Sequence, residues 1–214
     1  MAKRKIRRDG KSRAVEAAID KDLIRQLRTK IMVNELDPKV ISITSSEDGE
    51  GKTTIGLNLA DAIAAAGKRS LFIDCSLRKE NMTGKLGITG IAGISSYLIG
   101  ALQLKDLIIR QSVGGADLIL NVNPSESSTE ILEGDVFRQL IEKLRSEYDF
   151  VILDTPSMSS CSDAVVVSKL ADAIVHVVES DRVSGETVRK DISFLEETKT
   201  PVIGIVLNKM EQHG

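Results

Sequence analysis

Short, continuously apolar runs alternate along this chain with longer stretches whose apolar side chains recur at helical spacing. The runs are KVISIT (39–44), SLFID (70–74), ADLILN (116–121), FVILD (150–154), AIVHVVE (173–179) and VIGIVLN (202–208). They are rich in β-branched residues and do not alternate with polar ones. This predicts strands buried on both faces, as in a parallel sheet covered by helices. Between them, AVEAAIDKDLIRQLRTKIMVN (14–34) predicts one or two helices, and GKTTIGLNLADAIAAAG (51–67) predicts a helix ended by Gly67. GISSYLIGALQLKDLII (93–109) reads as helix, loop and helix, and SSTEILEGDVFRQLIEKLRSE (127–147) as mostly helix. DAVVVSKLA (163–171) and SGETVRKDISFLEETK (184–199) precede the last two strands as helices. Strand–helix–strand order predicts one doubly wound α/β domain, a single mostly parallel sheet flanked by helices. Its expected span is 19–214, behind a basic flexible arm at 1–18.

Composition narrows the classes. The chain has 214 residues, 42% of them hydrophobic, with a net charge of −2, as expected of a globular domain with one sizeable core. Aromatics are 3% with no Trp, so the core is aliphatic and base stacking on single-stranded nucleic acid is not expected. No specific nucleic acid partner is predicted, since the domain as a whole is slightly acidic. The first thirteen residues, MAKRKIRRDGKSR, carry seven Lys or Arg. They read as a solvated tail or as a contact for anionic lipid or an acidic partner. Cys75 and Cys161 lie far apart and read as reduced, buried thiols. His176 and His213 offer no His/Cys metal spacing. No apolar run approaches the roughly 20 residues of a membrane span.

The chemistry concentrates at SSEDGEGKTT (45–54), between the first apolar run and a helix. Gly49 and Gly51 let backbone N–H groups approach phosphate closely, and the following helix N-terminus adds positive potential. In this reading Gly49, Glu50, Gly51, Lys52, Thr53 and Thr54 form the cradle. Lys52 reaches the β- and γ-phosphates, and Thr53 gives its hydroxyl to Mg²⁺. Ser46 stands at the first glycine of the G-x-x-x-x-G-K-[ST] pattern, so the match is to the second half. Two strands end in carboxylates, LFID at Asp74 and FVILD at Asp154. In a parallel sheet both lie at the ligand end, where paired carboxylates suit Mg²⁺.

SEDGEGKTT, LFIDCSLRK and DFVILDTP resemble the Walker A, A′ and B motifs of the bacterial tyrosine kinases, the capsular and exopolysaccharide autokinases of the deviant-Walker P-loop ATPases. The resemblance runs from about residue 20 to 210 and includes LIRQLRTKI, NPSESSTEIL and IGIVLNK. Partition and cell-division ATPases carry a signature lysine where this chain has Glu47, which moves the reading toward the kinases. The resemblance implies a P-loop NTPase fold, ATP or ADP with Mg²⁺ as ligands, and catalysis through Lys52, Asp74 and Asp154. It implies Thr53, Asp74 and Asp154 around Mg²⁺, and Asn208 at adenine. Arg25 and Arg28, with Asp22 where the family has Glu, fit the family's helix that meets a neighbouring subunit, implying a homo-oligomer. A separate membrane polysaccharide co-polymerase is the implied partner, at the cytoplasmic face of the cell membrane.

Three positions depart from the family pattern. Ser76 replaces the second Asp of Walker A′, Ser157 replaces the second Pro of Asp-Thr-Pro-Pro, and no tyrosine follows Tyr148. Tyr97 falls on a predicted helix and Tyr148 before a strand, so neither reads as a mobile acceptor. Three functions are therefore expected in this order: a tyrosine kinase whose acceptor lies on another protein, an ATP-binding switch or pseudokinase regulating the co-polymerase, and a partition-type ATPase.

Overall fold

Each apolar run forms a strand. A computed structural model describes residues 20–78, 82–88, 90–110 and 115–210, so the basic arm at 1–18 lies outside the described residues. The strands are β1 (Val40–Ser45), β2 (Ser70–Asp74), β3 (Asp117–Ile119), β4 (Phe150–Asp154), β5 (Ala173–Glu179) and β6 (Val202–Asn208). They form one sheet in the order β3-β2-β4-β1-β5-β6, with every strand pairing parallel. The helices are α1 (Lys21–Met32), α2 (Lys52–Ala65), α3 (Thr83–Leu86), α4 (Ile94–Leu98), α5 (Leu104–Leu107), α6 (Ser128–Glu133), α7 (Asp135–Glu147), α8 (Asp163–Ser168) and α9 (Gly185–Glu196).

Two apolar layers hold the sheet. Ile41, Ile43, Phe72, Ile152 and Val175 pack with Ile24 and Ile31 of α1 and Ile55, Leu59 and Ile63 of α2. Val40, Leu71, Ile73, Val151 and Leu153 pack on the other face with Phe137, Leu140, Ile141 and Leu144 of α7 and Val167 of α8. Successive strand residues thus enter opposite cores, which is why the runs are apolar throughout. Gly67 ends α2 with φ 81°, the left-handed turn that glycine adopts without steric cost.

Gly56 lies where α2 packs closely on the sheet. A Cβ there would lie 3.2 Å from the Phe72 ring and 3.5 Å from both Ile152 and Ile43. Gly56→Val is therefore expected to destabilise the fold by about 1–3 kcal/mol through overpacking. A lowered urea midpoint at unchanged slope would register it.

β6 departs from the expected burial on both faces. As the edge strand it has one neighbour, and α9 contributes only Leu195 to the buried set. Ile205 and Leu207 remain 48% and 56% exposed. The helix, loop and helix expected over 93–109 appear as two brief helices, α4 and α5.

Candidate active site

β1 ends at Ser45, residues 46–51 turn, and α2 starts at Lys52, so the loop stands at the C-terminal edge of the central strand. Gly49 and Gly51 have φ of 89° and 94°, a left-handed region that only glycine enters cheaply. Gly51 has a second constraint: a Cβ would lie 2.1 Å from the Asn208 amide nitrogen. Lys52 is 8% exposed, and its Nζ rests 3.8 Å from Asp48 Oδ1.

β2 and β4 pair in register so that Asp74 and Asp154 are direct neighbours across the sheet. Both are fully buried at the end of the sheet that carries the loop. Thr53 donates its hydroxyl to Asp154 Oδ2 at 2.7 Å, joining the first turn of α2 to the end of β4. Asp74 Oδ1 accepts the Ser76 N–H at 3.0 Å, while its Oδ2 is buried with no hydrogen-bond partner among the described residues. Burial, and then the neighbouring Asp154, hold the Asp74 carboxyl well above the usual range. An oxygen left unpaired beside a second carboxylate and a hydroxyl is a hard-ligand set suited to a divalent cation. Thr53, Asp74 and Asp154 therefore fit Mg²⁺, which would neutralise charge on the phosphates there.

The other expected residues take varied positions. Glu50 is fully buried, and its carboxylate braces the loop: Oε2 accepts the Glu47 N–H at 2.7 Å and Oε1 the Glu179 N–H at 2.9 Å. Any ligand contact by Glu50 would come from its backbone. The Thr54 carbonyl accepts from Asn58 at 2.8 Å inside α2. Asn208 donates its amide to the Glu50 carbonyl at 2.8 Å, so its side chain abuts the phosphate loop. Ser157 replaces a proline usefully: its hydroxyl donates to Asp48 Oδ1 at 2.8 Å, tying the turn after β4 to the loop. Ser46 Oγ lies 3.1 Å from His176 Nε2, and burial pushes that imidazole below its ordinary range. Arg28 donates to the Ala62 carbonyl at 3.2 Å, committing it partly to packing α1 on α2, while Arg25 pairs with Asp22 at 2.8 Å on the surface.

Cys75 is buried, and burial together with Asp74 and Asp154 pushes its thiol up. Cys161 is only half-buried, contrary to the expectation of two buried thiols. Tyr148 is buried and donates to Asp117 Oδ2 at 2.6 Å; Tyr97 packs against the α7-side core.

Several residues were missed from sequence. Arg78, four residues after Asp74, reaches fully buried Asp163 at 3.2 Å, and that carboxylate also accepts from Ser128 at 2.6 Å. Burial opposes its ionisation, but the Ser128, Thr129 and Arg78 donors hold its carboxyl below the usual range. Arg182, Lys209 and Glu179 surround the loop from the β5–β6 side. Lys209 follows Asn208 directly, so the motif points to it; Arg182 lies in a polar turn with no sequence signal.

The AAA domain family profile matches residues 38–203. The tyrosine-protein kinase CpsD of Streptococcus agalactiae is 30% identical over 202 residues, covering 94% of this chain and 88% of that one. The kinase domain of the Escherichia coli tyrosine kinase ETK superposes with a TM-score of 0.87 at 30% identity, covering 97% of this chain and 84% of that one. The septum site-determining protein MinD of Pyrococcus horikoshii, solved with Mg-ADP, shares the fold at 23% identity and a TM-score of 0.68, over 79% of this chain and 69% of that one. With this match over nearly its whole length, this chain is a member of the bacterial tyrosine kinase family of P-loop ATPases.

Proposed function

We propose that this chain binds Mg-ATP at residues 45–54 and transfers the γ-phosphoryl group to protein tyrosine, in capsule or exopolysaccharide assembly. The observation that carries this reading is the Thr53–Asp154 hydrogen bond at 2.7 Å, with Asp74 beside it in register. The loop N–H groups and Lys52 hold the phosphates and offset charge as the β–γ bridging bond breaks. Thr53, Asp74 and Asp154 would hold Mg²⁺, which would supply Lewis-acid neutralisation of the phosphate oxygens. Asp74 takes the proton of the attacking tyrosine hydroxyl as the new O–P bond forms and ADP leaves. Asn208 stands close enough to the loop to meet the base of the same nucleotide.

Tyr148 is buried and hydrogen-bonded and Tyr97 is packed, so neither of these two side chains is presented as a free acceptor. With Ser76 in place of a carboxylate, this also favours a second reading, an ATP-hydrolysing switch or pseudokinase. In either case the partner is a separate membrane co-polymerase at the cytoplasmic face. No helix among the described residues is long and apolar enough to cross a membrane. Arg25 and Arg28 on α1 are the residues proposed to meet a neighbouring copy in a homo-oligomer.

The test is labelled γ-phosphate from Mg-ATP, followed to a tyrosine-rich peptide and to free phosphate. Label on tyrosine supports the kinase. Free phosphate without labelled tyrosine supports the switch, and neither product with ATP still bound supports the pseudokinase.

A further inference from the structure

Three consecutive carbonyls of the loop are tied to donors outside it. The Asp48 carbonyl accepts from Arg182 Nη2 at 2.8 Å, the Gly49 carbonyl from Lys209 Nζ at 2.9 Å, and the Glu50 carbonyl from Asn208 Nδ2 at 2.8 Å. All three donors come from the C-terminal ends of β5 and β6, beyond the catalytic strands β2 and β4. In a planar trans peptide the C=O and the next N–H point in opposite directions. Fixing these carbonyls toward β5 and β6 therefore directs the N–H groups of Gly49, Glu50 and Gly51 to the opposite side. No hydrogen bond within the described residues takes those three N–H groups. Adjacent inward N–H groups form an anion-binding concavity.

Glu179 gathers the two cations. Its Oε2 accepts from Arg182 Nη1 at 2.8 Å and Lys209 Nζ at 3.0 Å, and its own N–H donates to Glu50 Oε1 at 2.9 Å. The two cations hold the Glu179 carboxyl below its ordinary range. Arg182 Nε also lies 3.5 Å from Glu47. Asp181, next to Arg182, and Lys209 itself adopt φ of 60° and 55°, conformations non-glycine residues take only when their surroundings hold them there. At Gly49 the approach is close: a Cβ there would sit 3.2 Å from Arg182 Nη1.

We propose that Arg182 and Lys209, clasped by Glu179, are positioning residues for the nucleotide: they hold the loop carbonyls outward so that its N–H groups face the phosphates before these bind. The inference rests on the reading that residues 45–54 bind nucleotide phosphate. Its consequence is affinity, because a loop already ordered loses less entropy on binding.

The test uses the full chain with Arg182→Gln, Lys209→Met and the double variant. Binding of ATP, ADP and inorganic tripolyphosphate is measured, together with amide exchange across 47–53. Each single variant is expected to weaken all three ligands roughly 3- to 10-fold, and the double variant roughly 10- to 50-fold, as for lost hydrogen bonds to charged donors. KM for ATP rises by a similar factor, turnover falls less, and loop exchange quickens. Arg182→Lys and Lys209→Arg recover part of the loss. Because Arg182 and Lys209 side chains are 40% and 49% exposed, the melting temperature moves little; should the double variant fail to fold, the single variants decide. Affinity within about twofold of the parent in both single variants, with loop exchange unchanged, would overturn the proposal. A parent chain that binds neither ATP nor tripolyphosphate would overturn the phosphate reading and this inference with it. Loss confined to Lys52→Ala, with the Arg182 and Lys209 variants intact, would overturn this inference alone.

Discussion

Lys52→Ala is expected to lower both phosphoryl transfer and ATP hydrolysis at least about 100-fold, the scale on which one electrostatic stabiliser of the transition state is lost. Lys52 opens α2, where the helix N-terminus already concentrates positive potential, and its ammonium is nearly buried beside the loop. A charge held in low dielectric acts more strongly on phosphate than one in water. The side chain makes one long ion pair, 3.8 Å to Asp48, which keeps a second contact with Ser157 at 2.8 Å. The fold should therefore survive the change, with a melting temperature close to that of the parent. Parallel counting of labelled tyrosine and free phosphate checks the prediction. Activity retained within a few-fold would remove Lys52 from the chemistry and with it the phosphate reading of the loop.

Asp74→Asn should separate stability from function. Burial and the adjacent Asp154 raise the Asp74 carboxyl pKa in the folded chain above its unfolded value. The folded state then binds more protons than the unfolded state between those two values. The Asp74 contribution to the stability of the metal-free protein accordingly falls as pH rises from the ordinary carboxylate range toward the raised folded pKa. The asparagine variant, having no such charge, should melt higher than the parent at neutral pH and lose this pH dependence. Added Mg²⁺ should stabilise the parent by binding the native state, and stabilise the variant less. Turnover with Mg-ATP should drop about 100-fold or more, as expected where an acid–base group and a metal ligand coincide. Thermal melts from pH 5 to 8 with and without Mg²⁺, beside the phosphate assay, report all of this. A parent and an asparagine variant with the same pH slope of stability across that range would show that the pair is not electrostatically opposed.

The strands were legible because burial on both faces of a parallel sheet leaves an unbroken apolar run, as SLFID and FVILD show. The loop was legible because glycines at 49 and 51, a lysine and a threonine must stand in fixed sequence to cradle phosphate. Asp74 and Asp154 were legible as strand ends. Less legible was burial at the edge: VIGIVLN looks like a core strand, yet Ile205 and Leu207 are exposed. Sequence reports that residues are apolar, not how many neighbours the sheet provides. Glu50 takes its place in the cradle from the motif, but that its buried carboxylate accepts the backbone N–H groups of Glu47 and Glu179 was not legible there.

Local order along the chain determined the α/β alternation, the helix stop at Gly67, the phosphate loop and the two strand-end carboxylates, since each depends on neighbours a few residues away. Tertiary structure alone decided that Asp74 and Asp154 stand in register, that Thr53 donates to Asp154 across 101 positions, and that Arg182 and Lys209 clasp a loop more than 130 positions earlier. Those contacts depend on the strand order, which brings the ends of β2, β4, β5 and β6 around β1, and no spacing in the sequence encodes that order directly.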